Sequence, residues 1–75
     1  MKKKELILIL KDIHIMRLYE EELKEEGYKV SKANCGNEAL KITSRKKFDL
    51  IISDAFLPDI EVVELIREVK KGTLK

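Results

Sequence analysis

Few side chains in this sequence are equipped for chemistry, and they gather at the ends of apolar runs. Asp12 follows the run over residues 6–10 after a single lysine, Lys11, and Asp54 closes the run over residues 48–53. Ser53 beside Asp54 invites a nucleophilic reading, but a serine hydroxyl needs a base within hydrogen-bond reach before it can attack. His14 is the one histidine, and it belongs at the solvent-facing start of a helix, away from Ser53, so hydrolase chemistry is not expected. Cys35 is the one cysteine; it can form no disulfide within the chain, and nothing around it has the spacing of a zinc site or a Cys-x-x-Cys redox pair. It reads as a small, partly buried residue in a turn. Tyr19 and Tyr28 read as packing residues. What remains is two carboxylates, Asp12 and Asp54, with Lys11 beside the first.

The elements that must position these groups follow from periodicity. Residues 6–10 are unbroken aliphatics, the pattern of a strand buried on both faces, β1. From residue 13 to the turn before Gly27 the period becomes helical, with Ile15, Leu18, Tyr19 and Leu23 on the expected inner face of α1 and Gly27 in the place of a left-handed cap. Residues 28–33 alternate in polarity and form β2, whose mixed character suits a sheet edge. Residues 34–37 turn into α2, built on Ala39, Leu40 and Thr43. Residues 48–53 are the second apolar run, β3. A loop holding Pro58 leads to α3, with Val62, Leu65, Ile66 and Val69 inward and Gly72 as its expected end. Asp59, Glu61 and Glu64 make the start of α3 acidic, which suits a helix N-terminus.

Strands alternating with helices over short connections imply a parallel sheet with right-handed crossovers. With the apolar strands inside and β2 at an edge, the expected fold is α/β, three layers (αβα), strand order 2-1-3, the first half of a flavodoxin-like sheet. In such sheets the functional crevice lies beyond the carboxyl ends of the strands where the winding reverses, here between β1 and β3. Lys11, Asp12, Asp54 and the loop to Pro58 lie there.

Composition bounds the rest. Seventy-five residues, 44% apolar and 40% charged, make one small globular domain over residues 1–75. A net charge of +2 from 16 basic and 14 acidic residues is small and interspersed, so direct nucleic-acid binding is not expected. The basic runs over residues 2–4 and 45–47 flank strands, where charges discourage aggregation. No segment approaches the ~18 apolar residues of a membrane span, and the lone cysteine fits a reducing compartment, so a soluble, cytoplasmic protein is expected.

The aliphatic run over residues 6–10 followed by an acidic residue, then His14, Ile15, Leu18 and Tyr19, resembles the first strand and helix of the receiver domain of two-component response regulators. Gly27, Tyr28, Lys29 and Val30 resemble its second strand, and residues 36–40 (Gly, Asn, Glu, Ala, Leu) the start of its second helix. Residues 49–58, from Asp49 through Ser53, Asp54 and Pro58, resemble its third strand and phosphoacceptor loop. The resemblance runs without a gap from about residue 5 to residue 71. It implies a signalling module rather than an enzyme, in which Asp54 accepts a phosphoryl group from a histidine kinase partner. It also implies a magnesium ion held by Asp54, by an acidic residue after β1, a place that Asp12 takes if the β1 to α1 loop shifts by one residue, and by the backbone carbonyl of Phe56.

Two departures qualify that implication. Ungapped alignment puts Leu10 and Lys11 where the family has an acidic pair, with Asp12 on a third position that is often acidic, so the metal site is degraded. An ammonium there repels a cation and offers itself as a charge partner of Asp54. Second, the receiver pattern stops after its third strand and helix, before the Thr or Ser and the Lys that bind phosphoryl oxygens. An uncovered β3 edge then predicts a homo-oligomer joined through β3, and with it a second reading: a phosphorylation-independent interaction or dimerisation module.

Overall fold

A computed structural model describes residues 3–73 of the chain. The elements follow in the order β1 Glu5–Ile9, α1 Ile13–Glu25, β2 Lys29–Ala33, α2 Gly36–Thr43, β3 Leu50–Ser53 and α3 Val62–Thr73. The three strands form one parallel sheet in the order β2-β1-β3, as the strand polarity predicts.

The unbroken aliphatic run makes β1 the centre of the molecule. Because successive side chains of a strand point to opposite faces, Leu6, Leu8 and Leu10 meet Met16 of α1 on one side, with Leu23, Tyr28, Val30 and Ile52 packed against them. Ile7 and Ile9 meet Ala33, Ala39 and Leu65 on the other, where α2 and α3 lie. Leu6, Ile7, Leu8 and Ile9 are completely buried, and each such side chain contributes roughly 1.5–3 kcal/mol of transfer free energy. Strand β3 lies at the sheet edge, with Leu50 41% exposed.

Expectations for two helices need correction. Helix α1 buries Met16 and half-buries Glu20 and Leu23, while Ile15, Leu18 and Tyr19 face outward. The inner stripe is offset by one residue because Glu20, whose charge argues for the outside, is held at the sheet side by ion pairs to Lys24 (2.9 Å) and to Lys32 of β2 (3.2 Å). On α3, Ile66, expected inward, is 43% exposed, and the helix does not stop at Gly72 but continues to Thr73. A glycine costs a helix interior only about 1 kcal/mol, and Leu65 and Val69 pack the helix against the core before that point. Gly27, by contrast, has φ +96° just after α1, the left-handed conformation expected of it. Among the described residues no helix is long and apolar enough to cross a membrane.

Candidate functional site at the β1 and β3 ends

The parallel register pairs Ile9 with Ser53, so the chain leaves β1 and β3 side by side and Lys11 comes next to Asp54. The Asp54 main-chain N–H donates to the Ile9 carbonyl (3.0 Å). The Lys11 main-chain N–H in turn donates to Asp54 Oδ2 (2.8 Å). One carboxylate oxygen is thereby fixed. Among the described residues no hydrogen bond reaches Oδ1, and Asp54 is half-buried. Ser53 Oγ donates to the Asp54 main-chain oxygen (2.9 Å), so that hydroxyl braces the strand end and is not aimed into the crevice.

Lys11 meets Asp54 through its main chain. The ion pairs of the described residues do not include its ammonium with the Asp54 carboxylate; the contact between the two residues is the backbone hydrogen bond. Asp12 is the N-cap of α1. Its Oδ1 accepts from the N–H groups of His14 (2.8 Å) and Ile15 (3.1 Å), two of the donors that a helix start leaves unpaired. The Ile15 N–H, and then the His14 N–H, hold its carboxyl below the ordinary aspartate range.

The donor set fits a divalent cation poorly. Hard cations want several oxygen ligands converging on one point; Leu10 is buried apolar, Lys11 brings an ammonium, and Asp12 is committed to α1. Among the described residues no group of three or more His, Cys, Asp or Glu side chains is arranged to hold a metal. Phe56, whose carbonyl the resemblance nominates, exposes 80% of its surface. A cleft of about 490 Å³ runs along this loop and the start of α3, lined by residues 55–63, and Asp54 is not in its wall.

One residue of this region takes a role that local pattern did not foresee. Asp59 turns back to α2: Oδ1 accepts the Gly36 N–H and Oδ2 the Asn37 N–H, both at 2.8 Å. The Asn37 N–H, and then the Gly36 N–H, hold its carboxyl below the ordinary range. The N-cap of α2, Cys35, makes no side-chain capping hydrogen bond, so the first N–H groups need an acceptor from elsewhere. A start of helix without Ser, Thr, Asp or Asn at the cap is the signal from which such a remote carboxylate follows.

A family model described as response regulator receiver domain matches residues 7–74 of the chain. Among characterised sequences, the chain is similar to a probable transcriptional regulator ycf29 of Pyropia yezoensis, 39% identical over 67 residues that make up 89% of this chain and 30% of that protein. Among solved structures it is similar to the non-phosphorylated HemR receiver domain of Leptospira biflexa, with a TM-score of 0.86 and 26% identity over 97% of this chain and 59% of that one. The receiver domain of the sensor histidine kinase PA1611 from Pseudomonas aeruginosa PAO1 shares the fold, with a TM-score of 0.84 and 24% identity over 96% of this chain and 62% of that one. That structure has a magnesium ion coordinated in its active site cleft. The chain thus spans less than two thirds of each of these relatives.

Proposed function

The chain belongs to the response regulator receiver domain family, and from that premise we propose that Asp54 is the acceptor in a phosphoryl transfer from the phosphohistidine of a kinase partner. The observation that carries this reading is the state of the Asp54 carboxylate: Oδ2 is fixed by the Lys11 N–H and Oδ1 is left without a hydrogen bond among the described residues, at the switch point of the sheet. Oδ1 attacks phosphorus, the new bond being that of an acyl phosphate. The phosphorus–nitrogen bond breaks and its electron pair returns to the imidazole, which takes up a proton. Such transfers depend chiefly on positioning and on neutralising charge at the phosphoryl oxygens. The donor set does not fit a magnesium ion, so no step is routed through one. Lys11, tied to Asp54 by its own backbone, is the residue best placed to bring positive charge to the transferring group, by swinging its exposed side chain over the crevice. The chain is on this reading the substrate of a kinase and a signalling module. The test is phosphate incorporation from a small phosphodonor, compared between the wild type and Asp54→Asn.

A second reading is favoured by the edge position of β3. Its outer N–H and C=O groups can template another strand, and with Leu50 exposed the edge suits a second copy of the chain. This dimer would need no phosphate. Sedimentation across a range of concentrations tests it: a monomer throughout removes it.

A further inference from the structure

We infer that the loop from Asp54 to Asp59 is a strap anchored at both ends by carboxylates, and that Asp59 is the positioning residue coupling the state of Asp54 to the start of α2. At one end Asp54 is tied to the β1 side of the molecule, through its N–H to the Ile9 carbonyl and through Oδ2 from the Lys11 N–H. At the other, both oxygens of Asp59 are taken by successive N–H groups of α2. Between and beside the anchors, Leu57 and Ile60 pack against the buried cluster of Ile7, Ile9, Ala33, Ala39 and Leu65. The fit at the α2 end is close. A Cβ on Gly36 would overlap Cγ2 of Ile60 and stand 3.2 Å from Asp59 Oδ1, so the absence of a side chain at Gly36 is what lets the strap lie flat on the helix start.

A short segment held at two ends behaves differently from two independent caps. Only four residues separate the anchors, which leaves little slack to absorb a displacement. If one anchor is cut, the segment gains freedom and the second anchor must then order a looser chain, which weakens it. The two anchors are therefore energetically coupled, although Asp54 and Asp59 share no hydrogen-bond partner. The phosphoryl-transfer reading adds a consequence: a phosphoryl group on Oδ1 turns Oδ2 from a carboxylate oxygen into a neutral carbonyl oxygen, a weaker acceptor for the Lys11 N–H, which loosens the contacts of Asp59 with Gly36 and Asn37, and α2 registers the change.

A double-mutant cycle tests the coupling without relying on phosphorylation. Equilibrium unfolding is measured for the wild type, Asp54→Ala, Asp59→Ala and the double variant. The strap predicts that the unfolding constant of the double variant rises by less than the product of the two single rises, short of it by at least about threefold. Equality with that product within about twofold, the tolerance for independent sites, overturns the inference. Should an alanine variant fail to fold, the amide-exchange comparison on the milder Asp59→Asn decides, since that change keeps one acceptor for the α2 donors and removes the other. Amide exchange supplies a readout that a local cap does not move: Asp59→Asn speeds exchange at Lys11, at the far end of the strap, as well as at Gly36 and Asn37. Faster exchange at Gly36 and Asn37 alone contradicts the strap. The wild type and the Asp59→Asn variant are then exposed to acetyl phosphate. Absence of phosphate on the wild type refutes the acceptor reading of Asp54, whereas the outcome of the cycle decides the strap separately.

Discussion

The Lys11 main-chain N–H lies 2.8 Å from Asp54 Oδ2, so the ends of β1 and β3 are joined through the backbone of Lys11, whose ammonium is in none of the ion pairs of the described residues. A neutral N–H holds one carboxylate oxygen in place, and among the described residues no hydrogen bond reaches the other. On the proposed reading the Lys11 ammonium is the group that meets an incoming phosphoryl group.

Lys11→Asp should therefore change the chemistry more than the fold, because the main-chain donor is kept. The variant is expected to gain magnesium affinity by at least about tenfold, about 1.4 kcal/mol, and its phosphate incorporation should become sensitive to chelator. Titration calorimetry with magnesium chloride checks the first; unchanged affinity would show that Leu10 and the commitment of Asp12 to α1 decide the loss of the site.

Core substitutions separate the two stripes of α1. Met16→Ala removes a side chain that is 5% exposed and should cost about 2–5 kcal/mol. Leu18→Ala removes one that is 60% exposed and should stay within about 0.5 kcal/mol. Urea unfolding of the two variants checks the ranking; a larger loss at Leu18 would place that face against a partner surface.

The same comparison shows where sequence pattern was sufficient. The aliphatic run of residues 6–10 announced a central strand because no other element buries both faces, and the polarity of β2 located the edge. Asp54 was placed beside the end of β1 because it follows β3 directly, a position that sheet geometry dictates. The inner face of α1 was misread because residues 15, 18, 19 and 23 and residues 16, 20 and 23 are both helical stripes. The polar Glu20 concealed the second until its pairing with Lys32 of β2 was seen. Asp59 was missed for a related reason: its partners lie 22 and 23 residues earlier, and a carboxylate just ahead of α3 looks like that helix's own.

Gly36→Ala should destabilise by about 1–3 kcal/mol, since the added Cβ meets Ile60 and forces it from its packing. The backbone at Gly36 is helical, where alanine is otherwise the better residue, so the sign alone is diagnostic. Thermal unfolding that shows a gain in stability would contradict the close fit of the loop on α2.

Acid should weaken the fold through two carboxylates. Asp12 and Asp59 have pKa values lowered by backbone N–H donors, so folding favours their charged forms. That contribution is complete above the unfolded value near 3.9 and is lost as pH falls through the lower folded value. Urea midpoints measured from about pH 5 down to about pH 2 should drop, and the drop should be shallower in Asp12→Asn and in Asp59→Asn. An identical profile in both variants would remove these two groups as the source.

The most direct test of Asp54 as a phosphoacceptor is intact-mass analysis after incubation with acetyl phosphate, run with magnesium and with chelator. The expected result is an increment of one phosphoryl group on the wild type under both conditions, absent from Asp54→Asn. No increment on the wild type, or one that survives Asp54→Asn, would contradict it.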